Sequence, residues 1–362
     1  MDVNLADDRR FFTRQLLAWN TKHNRRAMPW KGETDPYKIW LSEIILQQTR
    51  VEQGLAYYNR FIGAFPTVHQ LAKAPEQQVF KLWEGLGYYT RCKNLIATAK
   101  HIATDLKGHF PNTYEGILQL QGIGPYTAAA IASFAFNLPH AVVDGNVYRV
   151  LSRFFGIATP IDSTVGKKEF SALAQQLLPV GKPGQYNQAL MDFGATICKP
   201  MAPDCPHCPL KTQCQALAQN QVKQLPVKAK AIIKSVRWFH YLVVEHAGNL
   251  YVRKRPAKNI WENLYEFVLL ETDGPLTAQE LYKTPDFKKT VAGLGHQVTQ
   301  VSPLYTQQLT HLTIKGQFIR LTVKKPLQLA GYEAINQKNL HNLPFPKIIA
   351  HYLTDKKLTL NL

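Results

Sequence analysis

Residues 1 to about 215 contain no convincing run of alternating apolar and polar positions, which favours short helices over strands. Asp35 and Pro36 together offer an N-cap and a proline at the first helical position, so a helix is expected from there to about Gln53. Another helix is expected over the apolar stretch from Thr127 to Phe136. Prolines mark the expected starts of further helices: Pro66, Pro75, Pro111 and Pro125. This region therefore predicts a mainly α-helical domain.

The pattern changes after about residue 235. Trp238–Glu245 and Leu250–Lys254 are strand-like runs on either side of a His-Ala-Gly-Asn turn, and they predict a β-hairpin. Phe318–Val323 is another strand candidate. The polar and basic residues between the two regions predict a linker. The sequence therefore predicts a helical domain over 1–218, a linker over 219–235 and a second domain over 236–362.

Charge and composition narrow the classes of partner. The chain has 362 residues, with 43 Lys and Arg against 25 Asp and Glu, a formal charge of +18. Such an excess favours a polyanionic partner, nucleic acid before membrane, although a merely soluble basic protein would carry the same charge. The hydrophobic fraction of 45% indicates a packed core rather than disorder. No apolar stretch reaches the ~18 residues of a membrane span, and the acidic first residues lack a signal-peptide core, so a cytoplasmic location is expected.

Four of the five cysteines have the spacing C-x6-C-x2-C-x5-C: Cys198, Cys205, Cys208 and Cys214. Thiolates grouped in this way are typical of a metal-ligand cluster. A disulfide pair or scattered core cysteines are the alternatives, but disulfide scaffolds are short and rich in cysteine, and Cys92 is the one other cysteine of this chain. Structural zinc sites usually show two C-x2-C pairs, whereas here one such pair has longer, unequal gaps on both sides. The spacing therefore leans towards an iron–sulfur cluster and leaves zinc open.

The segment from Leu120 to Ala128 has the apolar-x-Gly-apolar-Gly form of a helix-hairpin-helix turn. Gly122 and Gly124 permit a tight turn and a close approach to another surface, and Pro125 suits the first turn of a helix. The exposed amides at that helix N-terminus would suit a DNA phosphate, and an ordinary turn is the alternative. Asp144 follows within a Val-Val-Asp-Gly-Asn sequence. A carboxylate between such a turn and a cysteine cluster is a rarer combination than either motif alone.

The order of these motifs resembles the endonuclease III superfamily of DNA glycosylases. Within it, the chain is similar to the adenine DNA glycosylases of the MutY type, strongly over residues 9 to about 225 and more weakly beyond. The segments that carry the resemblance are 29–30 (PW), 41–49 (LSEIILQQT), 85–89 (GLGYY), 143–146 (VDGN) and 187–195 (NQALMDFGA).

The resemblance implies a helical helix-hairpin-helix glycosylase domain with a 4Fe-4S cluster on the four cysteines. It implies that an α/β Nudix-like domain follows and recognises 8-oxoguanine. The signature of Nudix hydrolases is missing from 271–300, so pyrophosphohydrolase activity is not expected. The implied partner is double-stranded DNA with adenine opposite 8-oxoguanine or guanine, bound by a monomer in the cytoplasm and, in a bacterium, at the nucleoid.

Hydrolysis of an N-glycosidic bond needs a proton donor for the base, an anion beneath the sugar and an aimed water. Glu43 is the candidate acid, because helical neighbours Ile39, Trp40 and Leu46 would raise its pKa; a solvated glutamate is the alternative. Asp144 is the candidate anion, with a plain helix cap as the alternative. By resemblance, Glu43 protonates adenine N7 and later activates the water. Asp144 then stabilises the oxocarbenium ion, electrostatically or through a transient covalent acetal.

The resemblance also assigns supporting residues. Tyr126 and Asn146 orient the site, and Tyr126 stands where bifunctional relatives carry a lysine, which implies a monofunctional glycosylase. The flipped adenine is expected in a pocket that includes Arg26, Trp30, Lys31, Leu46 and Gln188, although Trp30 would equally suit a core. DNA contacts are expected at Gln48, Thr49, Leu86, Tyr88, Gly122, Gly124, Thr310 and His311.

One departure from the family concerns the second domain. Leu309, Thr310 and His311 stand where the family has Phe-Ser-His, in the loop that contacts 8-oxoguanine. Leu309 cannot stack as phenylalanine does, whereas Thr310 keeps a hydroxyl; an ordinary strand turn is the alternative. Two other functions remain open from the sequence: a bifunctional endonuclease III-like glycosylase/lyase, and a non-enzymatic iron–sulfur DNA-binding protein.

Overall fold

The computed structural model describes residues 5–229, 234–257 and 259–355. The chain forms two compact units. Unit 1 consists of Met1–Lys73 and Ala97–Ala231, and unit 2 of Ala74–Ile96 and Ile232–Leu362. Unit 2 therefore includes a segment of the first third of the chain, 74–96, which the sequence-based division does not anticipate.

The helices of the described residues follow the proline and capping signals. In chain order they are α1 (Leu5–Lys22), α2 (Pro36–Leu46), α3 (Val51–Ala64), α4 (Val68–Lys73), α5 (Glu76–Trp83), α6 (Thr90–Thr104), α7 (Tyr114–Leu118), α8 (Pro125–Phe136), α9 (Gly145–Phe155), α10 (Thr164–Leu177), α11 (Pro183–Thr196), α12 (Gln215–Ala218), α13 (Ala278–Lys283), α14 (Pro285–Val291) and α15 (Lys347–Thr354), with 3₁₀ turns at Lys211–Gln213 and Gln337–Asn342.

α2 is shorter than the sequence predicts. Asp35 caps it as expected, since its side chain accepts a hydrogen bond from the backbone amide of Tyr37 at 2.9 Å. The helix ends at Leu46 rather than near Gln53, because Gln47 already leaves the helical region with a ψ of 116° and Gln48 then adopts a left-handed conformation with a φ of 54°. Such a residue interrupts a right-handed helix, and α3 begins only after it.

The core of unit 1 forms around α9. Val147, Val150, Leu151 and Phe154 recur at helical spacing and are almost completely buried, so α9 has one apolar face. This face packs into a cluster with side chains of α1 and α11, among them Phe12, Leu16, Trp19, Leu190 and Phe193. The cluster fixes the N-terminal end of α9, where Asp144 lies.

The described part of the predicted linker, 219–229, is bound to unit 1. The Arg153 side chain donates to the Leu225 carbonyl at 3.1 Å, and the Ile161 amide donates to the Val227 carbonyl at 3.0 Å. Residues 230–233 lie outside the described residues.

Unit 2 is built on a sheet of seven described strands in the order β4-β6-β1-β3-β2-β7, with β5 also paired to β6. The strands are β1 (Ser235–His246), β2 (Asn249–Lys254), β3 (Tyr265–Thr272), β4 (His296–Val301), β5 (Tyr305–Gln308), β6 (Leu312–Val323) and β7 (Glu333–Asn336). The predicted hairpin of β1 and β2 is present at its turn, where Glu245 pairs with Leu250 and His246 with Asn249. Beyond the turn β3 lies between the two strands, and β6 pairs with β1 in parallel along most of its length.

Helices cover both faces of this sheet. Leu242 and Val244 of β1 pack into a cluster with Leu281 of α13 and Phe287 of α14. On the opposite face, Tyr352 of α15 stacks on Phe318 of β6 at 4.0 Å between ring centroids. Unit 2 is therefore an α/β layered domain.

The segment 74–96 is tied to the sheet part of unit 2 by polar contacts. Glu84 accepts a hydrogen bond from the Phe345 amide at 2.8 Å, and Lys93 forms an ion pair with Glu262 at 2.6 Å. These partners lie more than a hundred residues apart in the chain, so no local pattern reveals them.

Candidate active site

Glu43 lies in the apolar middle of α2. Its side chain is nearly enclosed, with the whole residue 6% exposed, and Ile39, Trp40 and Ile44 beside it are buried too. Loss of water raises the pKa of Glu43 to about 7; a hydrogen bond from Tyr126 lowers it, and the charge of Asp144 raises it. At neutral pH a large share of molecules therefore carry the proton that a general acid needs.

Tyr126 lies in the first turn of α8. Its hydroxyl bonds to Glu43, and burial raises the pKa of this phenol well above its usual value. Tyr126 therefore stays neutral and acts as a hydrogen-bond donor beside the acid. A phenol has no amine with which to form a Schiff base with a sugar.

Asp144 is the N-cap of α9. One carboxylate oxygen accepts from the backbone amides of Asn146 at 2.9 Å and Val147 at 2.8 Å, and the other accepts from the Asn146 side chain at 2.7 Å. Burial raises the pKa of Asp144, while these bonds and the Arg149 cation lower it. The charge of Asp144 also acts on Glu43 and raises its pKa. Asp144 is thus both the cap of α9 and the candidate anion.

A buried arginine, Arg149, fixes the side chain of Asn146 by a hydrogen bond. Arg149 donates to the Asn146 side-chain oxygen, to the Gly194 carbonyl and to the Cys198 carbonyl, each at 2.7 Å. α11 approaches closely here, because a Cβ on Gly194 would lie 2.7 Å from the Asn146 Cβ. The start of α9 is thus connected by hydrogen bonds to the first cysteine of the cluster.

The four clustered cysteines are partly buried and unpaired with one another as disulfides. Burial raises the pKa of Cys205, Cys208 and Cys214, to about 12 for Cys208, and each of these thiols lies close enough to Cys198 for their charges to interact. The Arg153 guanidinium lies 3.4 Å from the Cys198 sulfur. In the described part of the chain, no group of three or more His, Cys, Asp or Glu side chains is arranged to hold a metal ion.

Three of the five residues predicted for the adenine pocket meet at one carboxylate. Asp192 of α11 is fully buried, and it accepts hydrogen bonds from Arg26 at 2.9 Å and Gln188 at 3.1 Å. The Lys31 ammonium lies 3.0 Å from its second oxygen. The residues that neighbour Asp192 in the chain do not indicate which side chains it contacts.

The other two pocket candidates differ in exposure. Trp30 is buried, with its ring edge-on to Tyr58 at 5.1 Å between centroids, as a core aromatic would be. Leu46 is partly exposed at the last position of α2.

The helix-hairpin-helix turn lies between α7 and α8. Gly122 has a φ of 78°, and Gly124 is the N-cap of α8 with open space where a side chain would be. Ile123 is buried between these exposed glycines and anchors the turn. The backbone at this helix N-terminus is therefore open to an anion.

In unit 2, Tyr88 and Thr310 meet. Their hydroxyl groups are hydrogen-bonded, and Tyr88 is 45% exposed whereas Leu86 is buried. Thr310 lies in the tight turn between β5 and β6, which the amide of Leu309 closes by donating to the Leu312 carbonyl at 2.7 Å, and His311 is exposed beside it. The 309–311 turn is thus a strand turn and also carries two polar groups towards solvent.

Two candidate DNA contacts have backbone conformations that favour glycine. Gln48 in unit 1 has a φ of 54°, and Tyr88 in unit 2 has a φ of 49°. Such strain persists where the surrounding structure holds the residue, and it is frequent at functional sites. Thr49 follows Gln48, and its amide donates to the Leu46 carbonyl at 3.1 Å.

Comparison with known proteins identifies the family. Residues 41–178 match the HhH-GPD superfamily of base excision DNA repair proteins, and residues 240–355 match the NUDIX domain. Over 342 residues the chain is 38% identical to an adenine DNA glycosylase of Buchnera aphidicola (subspecies Baizongia pistaciae), with 93% of each protein covered. The chain belongs to the adenine DNA glycosylases.

Other relatives support the same family. The adenine DNA glycosylase of Rattus norvegicus is 42% identical over 227 residues, which are 59% of this chain and 44% of the rat protein. Among solved structures, that of a thermostable thymine-DNA glycosylase has a TM-score of 0.55 and 31% identity, covering 59% of this chain and 98% of that one. The predictions of a helix-hairpin-helix glycosylase domain, a Nudix-like second domain and an adenine glycosylase are therefore confirmed.

Membership of the adenine DNA glycosylases sets aside the non-enzymatic alternative. It does not by itself assign roles to individual side chains. Among the described residues, no helix is long and apolar enough to cross a membrane.

Proposed function

We propose that this enzyme hydrolyses the N-glycosidic bond of an adenine that stands opposite 8-oxoguanine or guanine in double-stranded DNA, as a step of base excision repair. The observation that carries the proposal is the buried Glu43 carboxyl, with a pKa of about 7, bonded to Tyr126 and within the field of Asp144. An acid that keeps its proton at neutral pH and an adjacent carboxylate are the pair that N-glycoside cleavage needs.

In the proposed reaction Glu43 transfers its proton to adenine N7. The bond between C1′ and N9 breaks with its electrons passing to the base, so adenine leaves as a neutral species. The carboxylate of Asp144 faces the positive charge that develops on the sugar. Glu43, now ionised, takes a proton from water while the water oxygen bonds to C1′, which restores the acid and leaves an abasic site.

Adenine suits the pocket candidates chemically. The base presents ring nitrogens that accept hydrogen bonds, and Arg26, Lys31 and Gln188 present donors near one another. Trp30 and Leu46 supply apolar surface. Because adenine in a duplex is stacked, the nucleotide must be flipped out before these groups contact it.

A glycosylase assay tests the reaction type. A duplex with one adenine opposite 8-oxoguanine is incubated with the enzyme and analysed with and without alkali. Release of adenine with strand cleavage only after alkali is expected, because Tyr126 offers no amine. Strand cleavage without alkali would favour the bifunctional alternative and overturn the monofunctional assignment.

The 309–311 turn and Tyr88 are proposed to contact the opposite base. The Thr310 hydroxyl and the His311 imidazole suit the altered Hoogsteen edge of 8-oxoguanine, where N7 has become a donor. One such contact is worth about 1–3 kcal/mol of discrimination. The Tyr88 ring would insert into the stack. Gln48, Thr49 and Leu86 are proposed as further DNA contacts.

Substitution of both Thr310 and His311 by alanine tests this role. The ratio of single-turnover rates for adenine opposite 8-oxoguanine and opposite guanine is expected to fall, with excision retained on both duplexes. The effect should be smaller than in relatives with phenylalanine at position 309, since Leu309 cannot stack. An unchanged ratio would exclude a recognition role for the turn.

We propose a 4Fe-4S cluster on Cys198, Cys205, Cys208 and Cys214. Four mutually close thiols, partly buried, match the number of ligands that such a cluster takes, and the Arg153 cation would offset thiolate charge. When bound, the cluster would crosslink the 198–214 loop.

Metal analysis tests the cluster. Purified protein is expected to be yellow-brown with about four irons per chain. Stoichiometric zinc without visible charge-transfer absorption would refute it. The remaining proposals are that the exposed amides of the Gly122–Gly124 turn bind a DNA phosphate and that the enzyme is a cytoplasmic monomer, for which sedimentation with and without DNA gives the oligomeric state.

A further inference from the structure

Asp192 is a buried carboxylate with both oxygens engaged by neighbouring side chains. One oxygen accepts hydrogen bonds from Arg26 at 2.9 Å and Gln188 at 3.1 Å. The other accepts a hydrogen bond from Asn24 at 2.9 Å and forms an ion pair with the Lys31 ammonium at 3.0 Å. Asp192 is also fully shielded from solvent, which excludes direct contact with DNA.

The donors come from a segment without helix or strand. Residues 23–35 connect α1 to α2, and their course is set largely by polar contacts. Arg26 donates through its amide to the Asn24 side chain at 3.1 Å, and Lys31 donates to the Arg26 carbonyl at 2.8 Å. Because Asn24, Arg26 and Lys31 all also reach Asp192, this one carboxylate organises the segment.

The network around Asp192 has a net positive charge. Arg26 and Lys31 carry two positive charges against one negative charge on Asp192. The side chains of Arg26 and Lys31 are 24% and 26% exposed, so their outer faces remain accessible while their inner faces are fixed. The Arg26 guanidinium donates to Asp192 through one of its nitrogens and retains further N–H donors for a second partner.

We propose that Asp192 is a positioning residue for base recognition. It holds Arg26, Lys31 and Gln188 as a set of fixed donors that receive the flipped adenine, and it does not touch the base. This inference rests on the proposed function, which assigns these three residues to the adenine pocket. Pre-fixed donors bind a base more tightly than mobile ones because their side-chain entropy is lost on folding rather than on binding.

The test compares two duplexes that differ only at the site of the flipped nucleotide. Both carry 8-oxoguanine; one has opposite it a 2′-fluoro-adenosine, which resists hydrolysis, and the other a tetrahydrofuran, which lacks a base. Asp192→Asn is expected to lower affinity for the adenine-containing duplex about 10-fold or more, the loss of a hydrogen bond to a charged group, while affinity for the tetrahydrofuran duplex changes less than about twofold. Single-turnover excision of ordinary adenine should fall by at least the same factor.

Glu266→Gln is the matched control. Glu266 is likewise fully buried and paired with two arginines, Arg253 at 2.9 Å and Arg255, but it lies in unit 2. The Glu266→Gln variant should lower the melting temperature as Asp192→Asn does, and it should leave unchanged the ratio of affinities for the adenine-containing and the tetrahydrofuran duplexes. This separates a local effect on the base from a general loss of stability.

A milder variant keeps the inference testable if Asp192→Asn does not fold. Asn24→Ala removes one neutral donor and leaves all three charges in place, so the affinity ratio should shift in the same direction by about 2- to 5-fold. Equal losses on both duplexes for every folded variant would overturn the positioning role. If the wild-type enzyme releases no adenine at all, the proposed function fails instead, whereas wild-type excision with an unchanged ratio in the variants refutes only the role of Asp192.

Discussion

Glu43, the proposed acid of unit 1, is buried, and the other proposed catalytic groups of that unit are partly buried. Tyr88 and His311, candidate recognition groups of unit 2, are exposed. Glu43 is 6% exposed and bonded to Tyr126, and Asp144 receives three hydrogen bonds at the start of α9. Tyr88, in contrast, is 45% exposed and shares one hydrogen bond with Thr310. Shielding from water is what shifts the pKa of an acid and strengthens an anion's field, while a group that contacts a base in a duplex must be accessible beforehand.

The difference predicts two kinds of response to substitution. A buried group acts on the transition state through fixed electrostatics, so its loss should change the rate by orders of magnitude. An exposed hydrogen bond exchanges with water, and its net contribution is about 0.5–1.5 kcal/mol. Substitutions of the proposed catalytic groups in unit 1 should therefore abolish chemistry, and those of the exposed recognition groups in unit 2 should adjust selectivity.

The largest effect is expected from Asp144→Asn. Asparagine caps helices as well as aspartate does, so the change removes the charge and largely spares the fold. Single-turnover adenine release should fall by at least ~10³-fold, with little change in affinity for damaged duplex. The matched control is Asp35→Asn at the N-cap of α2, which should keep the wild-type rate. A near-wild-type rate for Asp144→Asn would remove Asp144 from the mechanism.

Glu43→Gln should also abolish excision, by about 10²–10⁴-fold, since an amide cannot donate the proton to adenine. In the wild-type enzyme, the rate should decline as pH rises through about 7, where the acid ionises. The measurement is a single-turnover pH profile. A rate that stays constant from pH 6 to pH 9 would contradict Glu43 as the acid.

The same substitution should stabilise the fold at high pH. Burial raises the pKa of Glu43 from 4.5 to about 7, so the folded state binds its proton more tightly than the unfolded state does. The stabilisation from that proton is complete below pH 4.5 and is lost as pH rises through 7. Glu43→Gln should therefore gain free energy of unfolding relative to wild type between pH 5 and pH 8, by at most about 3 kcal/mol.

Denaturant unfolding at several pH values measures this gain. Glu33→Gln is the control of opposite sign, because hydrogen bonds from the Asp35 amide and from Lys38 lower the pKa of Glu33. Its replacement should bring no gain at pH 8. A gain for Glu43→Gln that does not depend on pH would mean that removal of a buried charge is not its cause.

A smaller effect on rate is expected from Gly194→Ala. The added Cβ would lie 2.7 Å from the Asn146 Cβ and 3.0 Å from its carbonyl oxygen, so α11 and the start of α9 must separate. Overpacking of this kind costs about 1–3 kcal/mol, and the shift of Asn146 away from Asp144 should slow excision about 10-fold. Gly63→Ala, at a helical glycine with open space, should be neutral or stabilising. An unchanged rate for Gly194→Ala would show that the site tolerates movement of Asn146.

The sequence was sufficient where a feature depends on neighbouring residues. Asp35 and Pro36 predicted the start of α2, the Gly124-Pro125 pair predicted the start of α8, and the spacing of the cysteines predicted their grouping. Each of these features is decided within one or two turns of the chain. The apolar neighbours of Glu43 could also be predicted from the sequence, because residues three and four apart share a helix face.

Features that depend on distant partners were missed. Asp192 bonds to Arg26 across 166 residues, and the Phe345 amide bonds to Glu84 across 261 residues, so neither the Asp192 network nor the place of 74–96 in unit 2 has a local signature. The end of α2 was placed too late because the left-handed Gln48 is not a residue type that stops a helix by itself. For Asp192, the neighbouring residues show only that an aspartate in an apolar helical stretch needs partners, and they do not show which residues those partners are.

The smallest effect, on selectivity alone, is expected for the hydrogen bond between Tyr88 and Thr310. Tyr88→Phe keeps the ring that would insert into the stack and removes the hydroxyl, and Thr310→Ala removes the other partner. Either change should lower the preference for adenine opposite 8-oxoguanine over adenine opposite guanine by about 2- to 10-fold, with the excision rate itself nearly unchanged. If the two hydroxyls act as one unit, the double variant should lose no more selectivity than either single variant, which corresponds to a coupling of about 1 kcal/mol in a double-mutant cycle.

Thr306→Ala on β5 is the control, since this threonine bonds to Lys315 and not to Tyr88. Additive losses in the cycle would mean that each hydroxyl contacts DNA separately, and a large fall in rate would break the division between buried chemistry in unit 1 and exposed recognition in unit 2.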